Sequence, residues 1–221
     1  MSEVNQGFIR RYVFSLDHKV IGIQYIVTGL VMALIGGFLA SLIRLQLAFP
    51  GRQWPMLEAL LPTGFMGGIM APEFYLATVT MHGTIMVFFF ISYVLVSGFG
   101  NYLVPLHVGA NDMAFPLLNM LSYWVGFLSA VTLLLSFFVE GGAAAAGWTA
   151  YPPLSALQSA IPGSGMGQTV WLLSMALFIV SFTMSGLNIV TTVFTQRAPG
   201  MSMFRMPLTV WSYFLSAIMG L

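Results

Sequence analysis

Charge is what this chain has least of. Lys, Arg, Asp and Glu together make up 6% of its 221 residues, where soluble proteins carry about 25%. A soluble fold of this size needs polar side chains over its surface, and seven basic with six acidic residues cannot supply them. Cysteine is absent, which excludes a disulfide framework and a thiolate metal site. The net charge of +1 excludes nucleic-acid binding by phosphate neutralisation, which needs a clustered basic patch. Apolar residues are in excess: they form 58% of the chain, and mean hydropathy is +0.91. Lipid is the solvent that suits such a surface, so the composition predicts an integral membrane protein.

The few charges punctuate the sequence, and uncharged runs between them are long enough for helices that cross a ~30 Å hydrocarbon core. The pattern predicts an all-α, polytopic transmembrane helix bundle with spans over about 20–43, 74–104, 113–139, 167–195 and 206–221. The fifth run is short of a crossing and is read as incomplete, the chain being the N-terminal portion of a longer architecture. No cleavable small-residue site precedes the first run, which is too long for a signal peptide. Residues 46–73 and 140–166 are dense in Pro and Gly and read as irregular outer connections. Arg10, Arg11, Lys19, Arg197 and Arg205 fall on one side and Arg44 and Arg52 on the other. Five basic residues against two put the N-terminus inside.

Three histidines occur. His18, between Asp17 and Lys19, and His107, in a short inner connection, read as wet interfacial residues. His82 is expected about nine residues into the second span, roughly 13 Å deep. An imidazole there must be paired, ligated or facing water, so a bond to a helix carbonyl and a haem-iron ligand both fit. At 100° per residue, His82, Tyr93, Ser97 and Asn101 share one face of that helix. Arg44, closing the first span on the outer side, either snorkels to headgroups or donates to a cofactor's polar edge. A second stripe, Ser181, Ser185, Asn188 and Thr192, suits interhelical hydrogen bonding or a lining for water. Asp112, with Asn101, Asn119 and Ser122 nearby, supplies one carboxylate and neutral amides that suit either polar packing between helices or a proton-loading channel.

Ordered runs of residues add a resemblance. Asp17-His18-Lys19-Val20-Ile21-Gly22 opens the first span, Ser41-Leu42-Ile43-Arg44 closes it, and Met81-His82-Gly83 sits in the second. Gly98-Phe99-Gly100-Asn101-Tyr102-Leu103-Val104-Pro105-Leu106, Gly109-Ala110-Asn111-Asp112-Met113-Ala114-Phe115-Pro116 and Gly147-Trp148-Thr149-Ala150-Tyr151-Pro152-Pro153-Leu154 follow in order. From about Asp17 to Trp211 the chain resembles subunit I of the haem–copper respiratory oxidases, in the branch of the cytochrome c oxidases.

The resemblance implies a terminal oxidase and proton pump of a bacterial-type cytoplasmic (inner) membrane. By it, His82 is an axial ligand of a low-spin haem (haem a type), and Arg44 hydrogen-bonds that haem's formyl edge. Asp112 is the entrance carboxylate of a proton channel; Asn101, Asn119 and Asn188 form an asparagine cluster above it, with Ser181 and Ser185 further along. Trp148 and Tyr151 are packing positions near the haem region. Implied partners are subunits of the II and III types, cytochrome c or quinol as electron donor, and the lipid bilayer; no nucleic acid is implied.

Departures from the family pattern are also present. Leu117 and Met120 stand where a basic residue and a second asparagine are usual, Phe182 replaces a paired serine, and Gln46 replaces a cation-binding carboxylate, so no structural metal is expected. The connection before the second span is longer than the family's. The copper ligands, the high-spin haem ligand and the second axial ligand of the low-spin haem lie on later helices, so these residues are expected to lack the oxygen-reducing site. Rival functions are a quinol oxidase of the same branch, a haem-free helical transporter and a non-catalytic fragment.

Overall fold

The computed structural model describes residues 7–157, 159–160 and 165–221, so the 140–166 connection lies partly outside the described residues. Helix α1 runs His18–Ala48 and is followed by the short α2, Pro55–Leu60, and a hairpin of β1, Phe65–Met66, and β2, Ile69–Met70. Helix α3, Pro72–Thr84, continues through a π-helical stretch, Ile85–Gly98, into α4, Phe99–Val108. Then come α5, Pro116–Leu135, α6, Met166–Thr195, and α7, Leu208–Gly220. Four stretches are long and apolar enough to cross a membrane: His18–Ala48, Pro72–Val108, Pro116–Phe138 and Met166–Thr195. With the shorter α7 they make the polytopic helical membrane bundle that the composition predicts.

Two elements differ from expectation. Residues 46–73 are not wholly irregular: Pro55 at a helix start favours α2. Gly67 and Gly68, at φ 62° and 80°, make the two-residue turn that pairs Phe65 with Met70 and Met66 with Ile69. The second span is also longer than read, passing through Pro105 to Val108 before Gly109, at φ 76°, closes it. Its 14 residues of π-helix turn more slowly than an α-helix. The spacing of 100° per residue therefore does not hold within Ile85–Gly98.

The contacts divide the chain into two compact units. The first gathers Met1–Gly29, Ile91–Phe127 and Leu177–Leu221. Within it, α1 approaches the second span backbone to backbone: a Cβ on Gly22 would stand 2.8 Å from the Gly98 carbonyl oxygen, the close packing that small residues permit between membrane helices. Its apolar core runs from Val104 and Val108 through Ile189 and Val193 to Val210 and Phe214. Tyr25, fully buried, donates to Ser122 Oγ at 3.1 Å and sets its ring edge-on to those of Tyr93 and Tyr123.

The second unit gathers Leu30–Phe90 and Leu128–Ala176. Reciprocal hydrogen bonds join α5 and α6: Ser129 Oγ donates to the Ser174 carbonyl at 2.7 Å, and Ser174 Oγ to the Ser129 carbonyl at 2.8 Å. Trp171 Nε1 donates to Thr84 Oγ1 at 3.0 Å, and the Gly147 N–H to Thr80 Oγ1 at 3.0 Å. Hydroxyls thus satisfy one another and the backbone where no water competes.

Candidate functional site

His82 lies in the second unit, ten residues beyond Pro72, roughly 15 Å along the helix. Its Nδ1 is 2.9 Å from the Gly36 carbonyl oxygen of α1. A carbonyl can only accept, so Nδ1 carries the proton and Nε2 keeps its lone pair. Among the described residues nothing hydrogen-bonds to Nε2. A Cβ on that glycine would stand 2.8 Å from Met86 Sδ and 3.1 Å from Ile85 Cγ2, so these side chains would have to shift to admit one.

Along α1 beside this contact, Gly37, Ser41 and Arg44 recur at spacings of four and three and share one face. A Cβ on Gly37 would meet nothing within 4 Å, and Ser41 Oγ folds back onto the Gly37 carbonyl at 3.0 Å. Arg44 is exposed at the end of this face. Trp148 covers Gly83, where a Cβ would stand 3.3 Å from the indole, and lies 6.0 Å from the Phe88 ring. Trp148 and Tyr151 are both exposed, at 48% and 70%. An imidazole whose Nε2 takes no hydrogen bond among the described residues, an open stretch of α1 at Gly37 and Ser41, and the exposed Arg44 guanidinium are groups whose chemistry fits a haem.

Asp112 lies in the first unit, on the connection between α4 and α5, and α6 fixes that connection. Thr192 Oγ1 accepts the Ala114 N–H at 2.9 Å; Asn188 Oδ1 accepts the Phe115 N–H at 2.9 Å, and its Nδ2 donates to the Phe115 carbonyl at 3.0 Å. Asn188 therefore uses both ends of its amide as a clamp. Asp112 is half-buried and lines a cleft of about 450 Å³ with Arg10, Phe14, Ser15, Leu16 and Asp17. Burial pushes its carboxyl above the usual range, and the charge of Asp17 adds to this; the Met113 N–H, donating at 2.7 Å, and His18 act against it.

The other amides of the expected cluster differ. Asn101 Nδ2 donates to the Ser97 carbonyl at 2.7 Å, but its Oδ1 and both amide atoms of Asn119 are buried with no partner among the described residues. Such atoms each cost about 1–3 kcal/mol unless water reaches them. Ser181 Oγ donates to the Ser122 carbonyl at 2.7 Å, and Ser185 is buried on the same helix.

Two histidines correct the expectation. His18 is buried, not wet, with Nδ1 2.8 Å from the Asn101 carbonyl oxygen. The reason is Pro105, which lacks the N–H that would reach the carbonyl four residues back. His107 is in the last turn of α4 rather than a loop, with Nδ1 buried and unpartnered among the described residues. Sequence reasoning listed Thr192 only as part of a stripe and missed His18; the proline four residues after Asn101 was the signal for the second.

Fold and contacts together define a polytopic helical membrane protein with a histidine bonded through Nδ1 in one unit and a clamped connection carrying Asp112 in the other. Residues 20–221 match the family described as cytochrome c and quinol oxidase polypeptide I, and the chain belongs to that family. It is 47% identical, over 96% of its length and 33% of the relative's, to the alternative cytochrome c oxidase subunit 1 of Bradyrhizobium diazoefficiens. It is 41% identical to the heme-copper oxidase subunit I+III of Aeropyrum pernix, over 96% of this chain and 24% of that one. It is 38% identical to cytochrome c oxidase subunit 1 of Thermostichus vulcanus, over 95% and 34%. The chain thus spans a quarter to a third of the length of these curated relatives.

Proposed function

We propose that this chain is the N-terminal part of a terminal oxidase subunit I. In that subunit a low-spin haem of the a type would carry electrons to a haem–copper centre where oxygen would be reduced to water. The observation that carries this reading is the tautomer of His82: the bond to Gly36 holds the proton on Nδ1 and leaves Nε2 free for iron. When bound there, the haem supplies one-electron carriage. His82 would hold it through Nε2, and Arg44 would donate a hydrogen bond to its polar groups. By the family resemblance, the oxygen-reducing centre is assigned to residues of the subunit outside these 221.

Protons enter from the inner side at Asp112, a half-buried carboxyl that burial pushes above the usual carboxylate range. They continue over water ordered by Asn101 and Asn119, and past Ser181 and Ser185. Asn188 acts by fixing the mouth. The excess of basic residues on the N-terminal side supports an N-terminus inside a bacterial-type cytoplasmic membrane. Partners are subunits of the II and III types; the Aeropyrum pernix relative, whose name joins I and III, supports the second. Cytochrome c is the donor, with quinol as second reading because the family description covers both. A copper-binding domain on the partner subunit favours cytochrome c.

The test is a reduced-minus-oxidised optical spectrum of the assembled complex carrying His82→Ala. The low-spin band should vanish together with one haem per complex. An unchanged spectrum would overturn the assignment.

A further inference from the structure

The second unit carries a groove of about 780 Å³ that involves neither His82 nor Asp112. Its floor is the start of α3, at Ala71, Phe74 and Ala77; residues 60–66 form one wall and residues 137–143 the other. Backbone bonds fix the first wall. The Leu61 N–H donates to the Leu57 carbonyl at 2.8 Å, and the Ala71 N–H to the Gly64 carbonyl at 3.0 Å. Gly64 sits so close to the Phe74 ring that a Cβ would stand 2.6 Å from it. On the other wall the Gly142 N–H donates to the Val139 carbonyl at 3.0 Å, and the Gly142 carbonyl packs directly on Gly167 of α6. The space is therefore preformed, and its volume lies within the range of small-ligand sites, about 300–1,000 Å³.

The lining is apolar except for two like charges. Leu60, Met66 and Phe138 are exposed along the groove, Glu73 and Glu140 are its charged groups, and neither Lys nor Arg lines it. Glu58, on nearby α2, is occupied: its Oε1 accepts the Gly67 N–H at 2.9 Å and ties the hairpin to α2. By contrast, the carboxylates of Glu73 and Glu140 take no hydrogen bond or ion pair among the described residues. Pro72 opens the second membrane stretch and Phe138 closes the third. The groove therefore stands at the ends of two spans, the level of the lipid head groups. We propose that it binds one membrane phospholipid through a primary ammonium head group, as in phosphatidylethanolamine. Glu73 and Glu140 hold the cation, and the apolar walls hold the start of the acyl chains. A primary ammonium donates charge-assisted hydrogen bonds to carboxylates, and phenyl rings such as Phe74 and Phe138 attract a cation over their faces. An anionic head group would meet two like charges instead. The site is independent of the haem and of the proton mouth.

The assembled complex is reconstituted into bilayers with a trace of photoreactive phosphatidylethanolamine or, separately, phosphatidylglycerol bearing the same photoreactive chain. Label is located by peptide mass spectrometry. Both probes carry the phosphate and the same chains, so the difference between them reads the ammonium. Label on residues 60–77 and 137–143 should be about 3- to 10-fold higher with phosphatidylethanolamine, the return expected of two ion pairs near a surface. Glu73→Gln combined with Glu140→Gln should bring the two probes level there and leave labelling elsewhere on the subunit unchanged. Thr63→Trp, a change at an exposed position that fills the groove, should lower labelling of its walls by both probes. Equal yields in the wild type would mean ordinary boundary lipid and overturn the proposal. So would an excess of phosphatidylglycerol, or a preference that survives the double substitution. Walls without label, joined instead to a partner-subunit peptide by a bifunctional cross-linker, would overturn it in favour of a protein occupant.

Discussion

His18 holds its Nδ1 2.8 Å from the carbonyl oxygen of Asn101, the acceptor that Pro105 leaves without a helical donor. The proline and the histidine thus answer one another across two helices. His18→Ala should destabilise the protein by about 1–3 kcal/mol, because a buried carbonyl is left unpaired. In a Pro105→Ala background the helix supplies its own N–H, so the same change should cost markedly less. Equal losses in both backgrounds, measured by thermal unfolding in detergent, would exclude the coupling.

Gly36 controls how His82 is oriented. Gly36→Ala puts a methyl 2.8 Å from Met86 Sδ and must displace either that side chain or the helix. Overpacking of this kind costs about 1–3 kcal/mol, and here it strains the bond that sets the imidazole tautomer. The low-spin haem band should shift or lose intensity while total subunit abundance falls only modestly. A spectrum identical to wild type would separate Gly36 from the histidine.

Asp112 predicts a stability dependence with a definite sign. Its carboxyl holds its proton to higher pH in the folded chain than in an unfolded one. The stability it contributes is complete below the ordinary carboxylate value of about 4 and is lost as pH rises through the raised value. Relative to Asp112→Asn, the wild type should lose thermal stability over that window. A constant difference across the same pH range would show that burial does not perturb this group.

Asn188 and Thr192 hold the mouth by its backbone. Asn188→Ala removes two hydrogen bonds to Phe115 and should cost about 1–3 kcal/mol. Amide exchange at Ala114 and Phe115 should quicken, and proton uptake should weaken even though Asp112 is intact. Unchanged exchange at those two amides would mean that the clamp does not determine the local order.

Much of the architecture was legible in the chain because lipid permits few solutions. With 6% charged residues, the uncharged runs could only be helices, and their number and order follow from where Lys19, Arg44, Glu73, Asp112, Glu140 and Arg197 interrupt them. The ordered motifs around His82 and Asp112 likewise needed no coordinates. What the sequence could not decide were matters of partner and register. The π-helical stretch between Ile85 and Gly98 departs from the 100° per residue on which a projection of polar faces rests. His18 looked solvated beside Asp17 and Lys19, yet it is buried on a carbonyl 83 residues away. Asn188 looked like its fellow asparagines, but both ends of its amide are occupied by one backbone residue, whereas Asn119 has neither paired among the described residues. Hydrophobic patterning is a property of the chain itself, whereas each polar group's partner comes from another helix and exists only once the helices pack.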